Sequence, residues 1–192
     1  NGNAGWALVQ VPNADLTWET VATLNVRLHT RLWDRLTMGL EFYDRVSSDL
    51  LMELPFSGTT GHSSGMGNIA EMKNTGFDLE VELDLVHTRN VYWGVRANVN
   101  YNKNKITKLY QGLDELAFPD YSLKYQVGMP SSLVYTQVRA GVDPQDGSPM
   151  WYDLNGNLTK TYSDDIMQFC GMDTNAPWSG GLSTTVAWKG LQ

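Results

Sequence analysis

Four carboxylates at every second position, Asp78, Glu80, Glu82 and Asp84, are the densest cluster of chemically capable side chains in the sequence. On an extended strand they share one face, where repulsion between like charges raises a carboxyl pKa. Acid–base catalysis needs more, an acid and a base facing each other across a cleft, and no second cluster stands out to oppose them. The ladder therefore reads as a water-lining wall, or as charge matched by neighbouring strands or simply wetted. Ser63, Ser64 and the three histidines His29, His62 and His87 supply nucleophile and base types, but they fall at different ends of any sheet the pattern allows. Asp153, Asn155 and Asn157 have the oxygen spacing of a calcium loop, yet Gly156 stands fourth where such a loop needs it sixth, which favours a tight Asx-rich turn. Asn157-Leu158-Thr159 is a glycosylation sequon in form only. One cysteine, Cys170, excludes an internal disulfide framework, and no Cys/His cluster suggests zinc. Neither enzyme, metal nor cofactor is expected.

A last group with chemical potential is aromatic: Tyr110, Phe118, Tyr121, Tyr125, Tyr135, Trp151, Tyr152 and Trp178. Such rings stack on the C–H faces of sugars, and equally they build the core of a long ordered loop. Trp151, Tyr152, Trp178 and Tyr125 are the candidate ligand contacts.

The elements that must hold these residues follow from period-two alternation. Ala22, Leu24, Val26 and Leu28 alternate with Thr23, Asn25, Arg27 and His29, and Leu36, Met38, Leu40 and Phe42 with Thr37, Gly39, Glu41 and Tyr43. Phe77, Leu79, Val81, Leu83 and Leu85 interleave with the acidic ladder, and Val91 through Tyr101 repeat the pattern against Tyr92, Gly94, Arg96, Asn98 and Asn100. Leu182, Thr184, Val186 and Trp188 make a weaker fifth run. Strands are expected at about 17–32, 36–50, 72–87, 91–106 and 180–192. Three-residue connectors join the first two and the next two as antiparallel hairpins, whereas long connectors, about 51–71 and 107–178, fall at the opposite end.

No run approaches the ~18 apolar residues of a membrane helix. A membrane β-barrel remains open, since its strands hide half their residues from lipid and read as soluble, here with a mean hydropathy of −0.33. The stripe from Ala22 to Leu32 has the ~9–11 residues a tilted strand needs to cross a bilayer. Trp33 and Trp93 fall beside the short turns, and Trp18, Tyr43 and Tyr101 toward the long loops, as an interfacial girdle would. Register about the two turns sets Arg27 against Glu41 and Arg96 against Glu82, each pair worth ~0.2–1 kcal/mol. The 192 residues carry 14 Lys+Arg against 21 Asp+Glu, a net charge of −7, which excludes a nucleic-acid face.

Several segments resemble the C-terminal barrel of SusC/RagA-type TonB-linked outer-membrane proteins. They are Asn13 to Glu19 (family Asn-Pro-Asp-Leu-x-Trp-Glu, with Ala14 for Pro), Phe42 to Arg45, Asp49 to Leu51, Thr60-Gly61 and Asn68-Ile69. Met72 to Leu79, Tyr101 to Ile106, Ala140 to Pro144, Gly147, Pro149, Trp151 to Asp153, Gly156, and Pro177 to Gly181 continue the series in order. The resemblance implies an all-β antiparallel meander, part of a barrel of about 22 strands with long extracellular loops in a Gram-negative outer membrane. It implies import of glycan or peptide fragments under a SusD-like surface lipoprotein, powered through TonB by N-terminal parts not among these residues. The chain accordingly reads as cut at both ends. Arg27, Glu41, Asp78, Glu80, Glu82, Asp84 and Arg96 would then line the lumen. The rival is a soluble secreted or surface β-sandwich that binds glycans, with its apolar faces covering each other.

Overall fold

Alternating side chains make a strand but give it two unlike faces, so the sheet is defined by what those faces meet. The computed structural model describes residues 13–55, 64–118, 123–189 and 191. The strands are β1 (Thr20–Leu32), β2 (Leu36–Pro55), β3 (Ser64–His87), β4 (Val91–Leu109), β5 (Glu115–Phe118), β6 (Leu123–Gln126) and β7 (Leu133–Gln137). They continue with β8 (Arg139–Val142), β9 (Pro149–Tyr152), β10 (Leu158–Thr159), β11 (Met167–Asp173) and β12 (Trp178–Trp188). Thr60, Gly61, His62, Ser63 and Tyr121 lie outside the described residues.

The long strands form one five-stranded sheet in the order β1-β2-β3-β4-β12. Strands β4 and β12 pair antiparallel without a register break from Trp178↔Tyr101 to Trp188↔Val91. The β1–β2 connection is tighter than a three-residue loop: the Arg35 N–H donates to the Leu32 carbonyl at 3.1 Å, and Trp33 and Asp34 both take left-handed backbone (φ 52° and 53°). That is a mirror-image two-residue turn, whose twist suits a hairpin but which usually employs Asn and Gly. Strands β2 and β3 also run further than alternation suggests, through Pro55 and from Ser64, because β2 passes a left-handed Asp49 (φ 58°) that breaks the period of two.

The chain divides into two compact units. The sheet unit, residues 21–46, 73–105 and 175–192, has no buried hydrophobic side chain among its described residues; its buried positions are the glycines Gly39, Gly76 and Gly94. Gly76 is enclosed: a Cβ there would overlap the Tyr101 carbonyl and come within 2.5 Å of Tyr43 Oη. Tyr43 thus lies over a glycine and donates to Asn102 Oδ1 at 3.2 Å, on the polar face, so the girdle position on β2 belongs to Phe42 instead.

The loop unit, residues 1–20, 47–72 and 106–174, holds the buried hydrophobics Ile69, Ile106, Leu109 and Met167. Where one long loop was expected it contains short antiparallel pairs: β5–β6, β7–β11 and the three-stranded β8–β9–β10. Its lead-in segment is tied by side chains rather than by a ladder. Asn68 accepts from the Thr17 N–H at 2.8 Å and donates to the carbonyls of Thr17 (2.9 Å) and Asp49 (2.6 Å), while Glu19 accepts from the Leu51 N–H at 2.7 Å. These bonds give the Asn13–Glu19 motif a physical role, fixing how the chain enters β1 and holding the kink at Asp49.

Gly76→Ala must push β4 or Tyr43 aside and is expected to cost about 1–3 kcal/mol, read as a lower unfolding midpoint of the assembled protein in detergent.

Candidate functional site

The sheet unit presents its two faces as two surfaces. On the apolar face nothing among the described residues covers the stripe: Leu24 is 67%, Val26 61%, Leu28 64% and Leu182 77% exposed. On β3 the stripe runs from Phe77 to Leu85 and on β4 from Trp93 to Tyr101, nine positions each counted inclusively. That matches the ~9–11 residues with which a tilted strand crosses hydrocarbon. One end is closed by a ring cluster in which Trp178 lies 4.6 Å from Tyr101 and 5.8 Å from Phe77, and Phe42 lies 6.1 Å from Phe77. Immediately beyond, charge returns, with Lys73 on Asp44 at 2.8 Å. Toward the other end Trp33, Trp93 and Trp188 are all exposed, and the Trp93 indole N–H donates to Thr184 Oγ1 at 2.9 Å, so a polar group in the stripe is paired. An apolar band edged by aromatic rings and then by charge is the profile of a surface made for lipid.

The opposite face is polar throughout. Arg96 reaches Glu82 at 2.7 Å and Arg27 reaches Glu41 at 3.7 Å, the two pairs given by register, and Arg27 also approaches Glu80 at 3.6 Å. Tyr92 donates to Asp84 at 2.7 Å and Asn100 donates to Asp78 at 2.5 Å. Asn104 donates to Asn74 at 2.9 Å. Arg27, Glu41, Asp78, Glu80, Glu82, Asp84 and Arg96 therefore lie together on one hydrated face, each partnered by a neighbouring strand.

The candidate ligand aromatics do not converge. Trp151 and Tyr152 are adjacent on β9 and so point to opposite sides; Trp151 is half-buried, its ring 5.1 Å from Tyr162, and Tyr152 is exposed. Tyr125 is half-buried, which pushes its phenol pKa up. Trp178 is the first residue of β12 and belongs to the ring cluster on the apolar face rather than to the loops. Two arrangements had no strong sequence signal: the Asn68 clasp and the pair of carboxylates that hold Lys160. The ammonium lies 2.5 Å from Asp143 and 2.7 Å from Asp146. The Asp153 carboxylate closes the expected Asx turn, accepting from the N–H groups of Asn155 and Asn157 at 2.8 Å each. No group of three or more His, Cys, Asp or Glu among the described residues is placed to hold a metal ion.

No protein-family model matches the chain. Among characterised proteins, a TonB-dependent receptor of Formosa agariphila is 28% identical over 149 residues, covering 77% of this chain and 14% of the receptor. The TonB-dependent receptor SusC of Bacteroides thetaiotaomicron is 29% identical over 164 residues, covering 77% of this chain and 16% of SusC. Among solved structures, the RagAB peptide transporter superposes with a TM-score of 0.87 at 30% identity, over 98% of this chain and 22% of that one. Its open-open state gives 0.85. The chain thus spans under a quarter of the length of the proteins it matches.

An open antiparallel sheet with a lipid face and a hydrated face is a stretch of transmembrane β-barrel wall, and its place is the outer membrane of a Gram-negative bacterium. The wall is of the SusC/RagA type of TonB-dependent outer-membrane protein.

Hydrogen bonding to Lys160, with help from the Ser148 N–H, holds the Asp146 carboxyl at about 2, below its ordinary 3.8. A depressed carboxyl favours the fold above its ordinary pKa, and that contribution fades as pH falls through the lowered one. Lys160→Met is expected to return Asp146 toward 3.8, measured by carboxyl-carbon NMR titration of selectively labelled protein.

Proposed function

We propose that this chain forms part of the barrel of an outer-membrane TonB-dependent importer of nutrient fragments, glycan or peptide, that works beneath a SusD-like surface lipoprotein. The observation that carries the reading is the uncovered nine-residue apolar stripe backed by a face of charges and amides. A soluble sandwich would have to cover Leu24, Val26, Leu28 and Leu182 with a second sheet, and no described residue does so. The likeness to SusC and to the RagAB peptide transporter supports the same conclusion.

In this reading residues 1–192 are one piece of a barrel domain, whose segments about 51–71 and 107–178 are extracellular loops. Its Arg27, Glu41, Asp78, Glu80, Glu82, Asp84 and Arg96 face the lumen. Loop aromatics, Tyr152 foremost, meet the ligand as it is captured. Coupling to TonB through N-terminal parts of the protein then releases the path, and the ligand moves along a wall that offers hydrogen bonds at every step without a deep hold. The wall performs no covalent chemistry.

Two measurements test this. Val26→Arg places a charge on the lipid face and is expected to cost about 2–4 kcal/mol in folding into vesicles, whereas Asn25→Arg, one residue away on the hydrated face, folds as the native protein does. In the full receptor, the double change Trp151→Ala, Tyr152→Ala should weaken ligand binding about tenfold, or ~1.4 kcal/mol, with the amount of assembled barrel unchanged.

A further inference from the structure

Two depressions of about 450 and 590 Å³ lie side by side on the hydrated face, and Gly39, Glu80, Asn98 and Gly181 border both. This row crosses β2, β3, β4 and β12, with a glycine at each end. A glycine inside a strand weakens it and normally has a local reason, a bulge or a close approach. Gly76, Gly94 and Gly180 have one, because a Cβ at each would come within 2.5 Å of a neighbouring atom. Gly39 has none: a Cβ there would meet Glu80, Arg27 and His29 at 3.6–3.8 Å, ordinary contact, and its backbone is not left-handed. At Gly181 the nearest atom is the flexible end of Asn98 at 3.1 Å. The fold does not require Gly39 to lack a side chain; the open trough does.

The lining says what passes through it. Apart from His29 no aromatic ring borders either depression, so there is no platform for a pyranose. Amides and charges remain. Asn98 and Asn100 lie two residues apart on β4, about 6.6 Å, which is the repeat at which an extended peptide presents its own N–H and C=O groups to one side. Asn98 makes no hydrogen bond to another described residue, and the Glu80 side chain is 69% exposed with its cation no closer than 3.6 Å. Four carboxylates, Glu41, Asp78, Glu80 and Glu82, face two guanidinium groups, Arg27 and Arg96, leaving two negative charges in excess.

We propose that the Gly39–Gly181 trough is a passage subsite for an extended peptide, with Glu80 meeting a lysine or arginine side chain and Asn98 the peptide backbone. The proposal rests on the import reading and narrows its substrate class. The test uses the full-length receptor with its lipoprotein in the outer membrane and three fluorescent probes: a lysine-containing hexapeptide, its glutamate counterpart and a neutral hexasaccharide. The native receptor is expected to take up the lysine peptide in preference to the glutamate peptide in a TonB-dependent way. Gly39→Phe fills the trough and should lower peptide uptake at least fivefold at an unchanged level of assembled barrel. Glu80→Gln, which leaves the trough open, should shrink the lysine-over-glutamate preference severalfold. Peptide uptake at the native rate by an assembled Gly39→Phe receptor, or an unaltered preference in Glu80→Gln, overturns the subsite and leaves import standing. Native uptake of the hexasaccharide alone overturns the peptide assignment. Native uptake of none of the three, or uptake independent of TonB, overturns the import reading itself.

Discussion

A β-sheet whose strands alternate strictly has to satisfy two solvents at once, and the sheet unit is organised by that demand. Hydrophobic burial contributes roughly 25 cal/mol per Å² only where something covers the apolar surface. Here no part of the chain covers Leu24, Val26 and Leu28, and none of the sheet's large side chains is buried. The missing apolar environment is the bilayer, and backbone hydrogen bonding then allows only a closed circuit of strands, since open edges are not tolerated in hydrocarbon. The free edges of β1 and β12 are where this circuit continues.

The same constraint explains where packing is dense and where it is not. Within the sheet unit close approach is confined to glycines: Tyr43 over Gly76 and Tyr92 over Gly94. Each places a large ring where a side chain would otherwise stand, and both tyrosines hydrogen-bond across strands from there, to Asn102 and to Asp84. The loop unit behaves as an ordinary small globular body, with Ile69, Ile106, Leu109 and Met167 as an interior and polar clasps at Asn68 and Lys160. The two units therefore draw their stability from different media.

Period two made β1 to β4 and β12 legible, because a half-exposed strand of ten residues repeats its signal five times. It also set the register closely enough to pair Arg96 with Glu82 before any coordinates. The strands between Glu115 and Asp173 escaped because most have four or five residues, too few for a period, and their turns are built from Asx side chains. Trp33 and Asp34 hid a mirror-image turn, since neither residue type announces left-handed backbone. Tyr43 and Trp178 were misjudged as a girdle residue and a loop aromatic: parity puts Tyr43 on the hydrated face, and pairing with Tyr101 puts Trp178 in the sheet. Gly39 was visible as a letter, but only its surroundings reveal that it is unforced.

Strands β4 and β12 are neighbours in space, yet Leu109 and Trp178 enclose the whole segment from Tyr110 to Pro177. Closing a loop of that length costs about (3/2)RT ln n, and non-local pairings of this kind form late. The two early hairpins, each closed by a tight turn, can zip within microseconds. The last strand must wait until the intervening residues have condensed. Assembly order is thereby written into the topology, and β12 is the seam that shuts after its long detour has found its own shape.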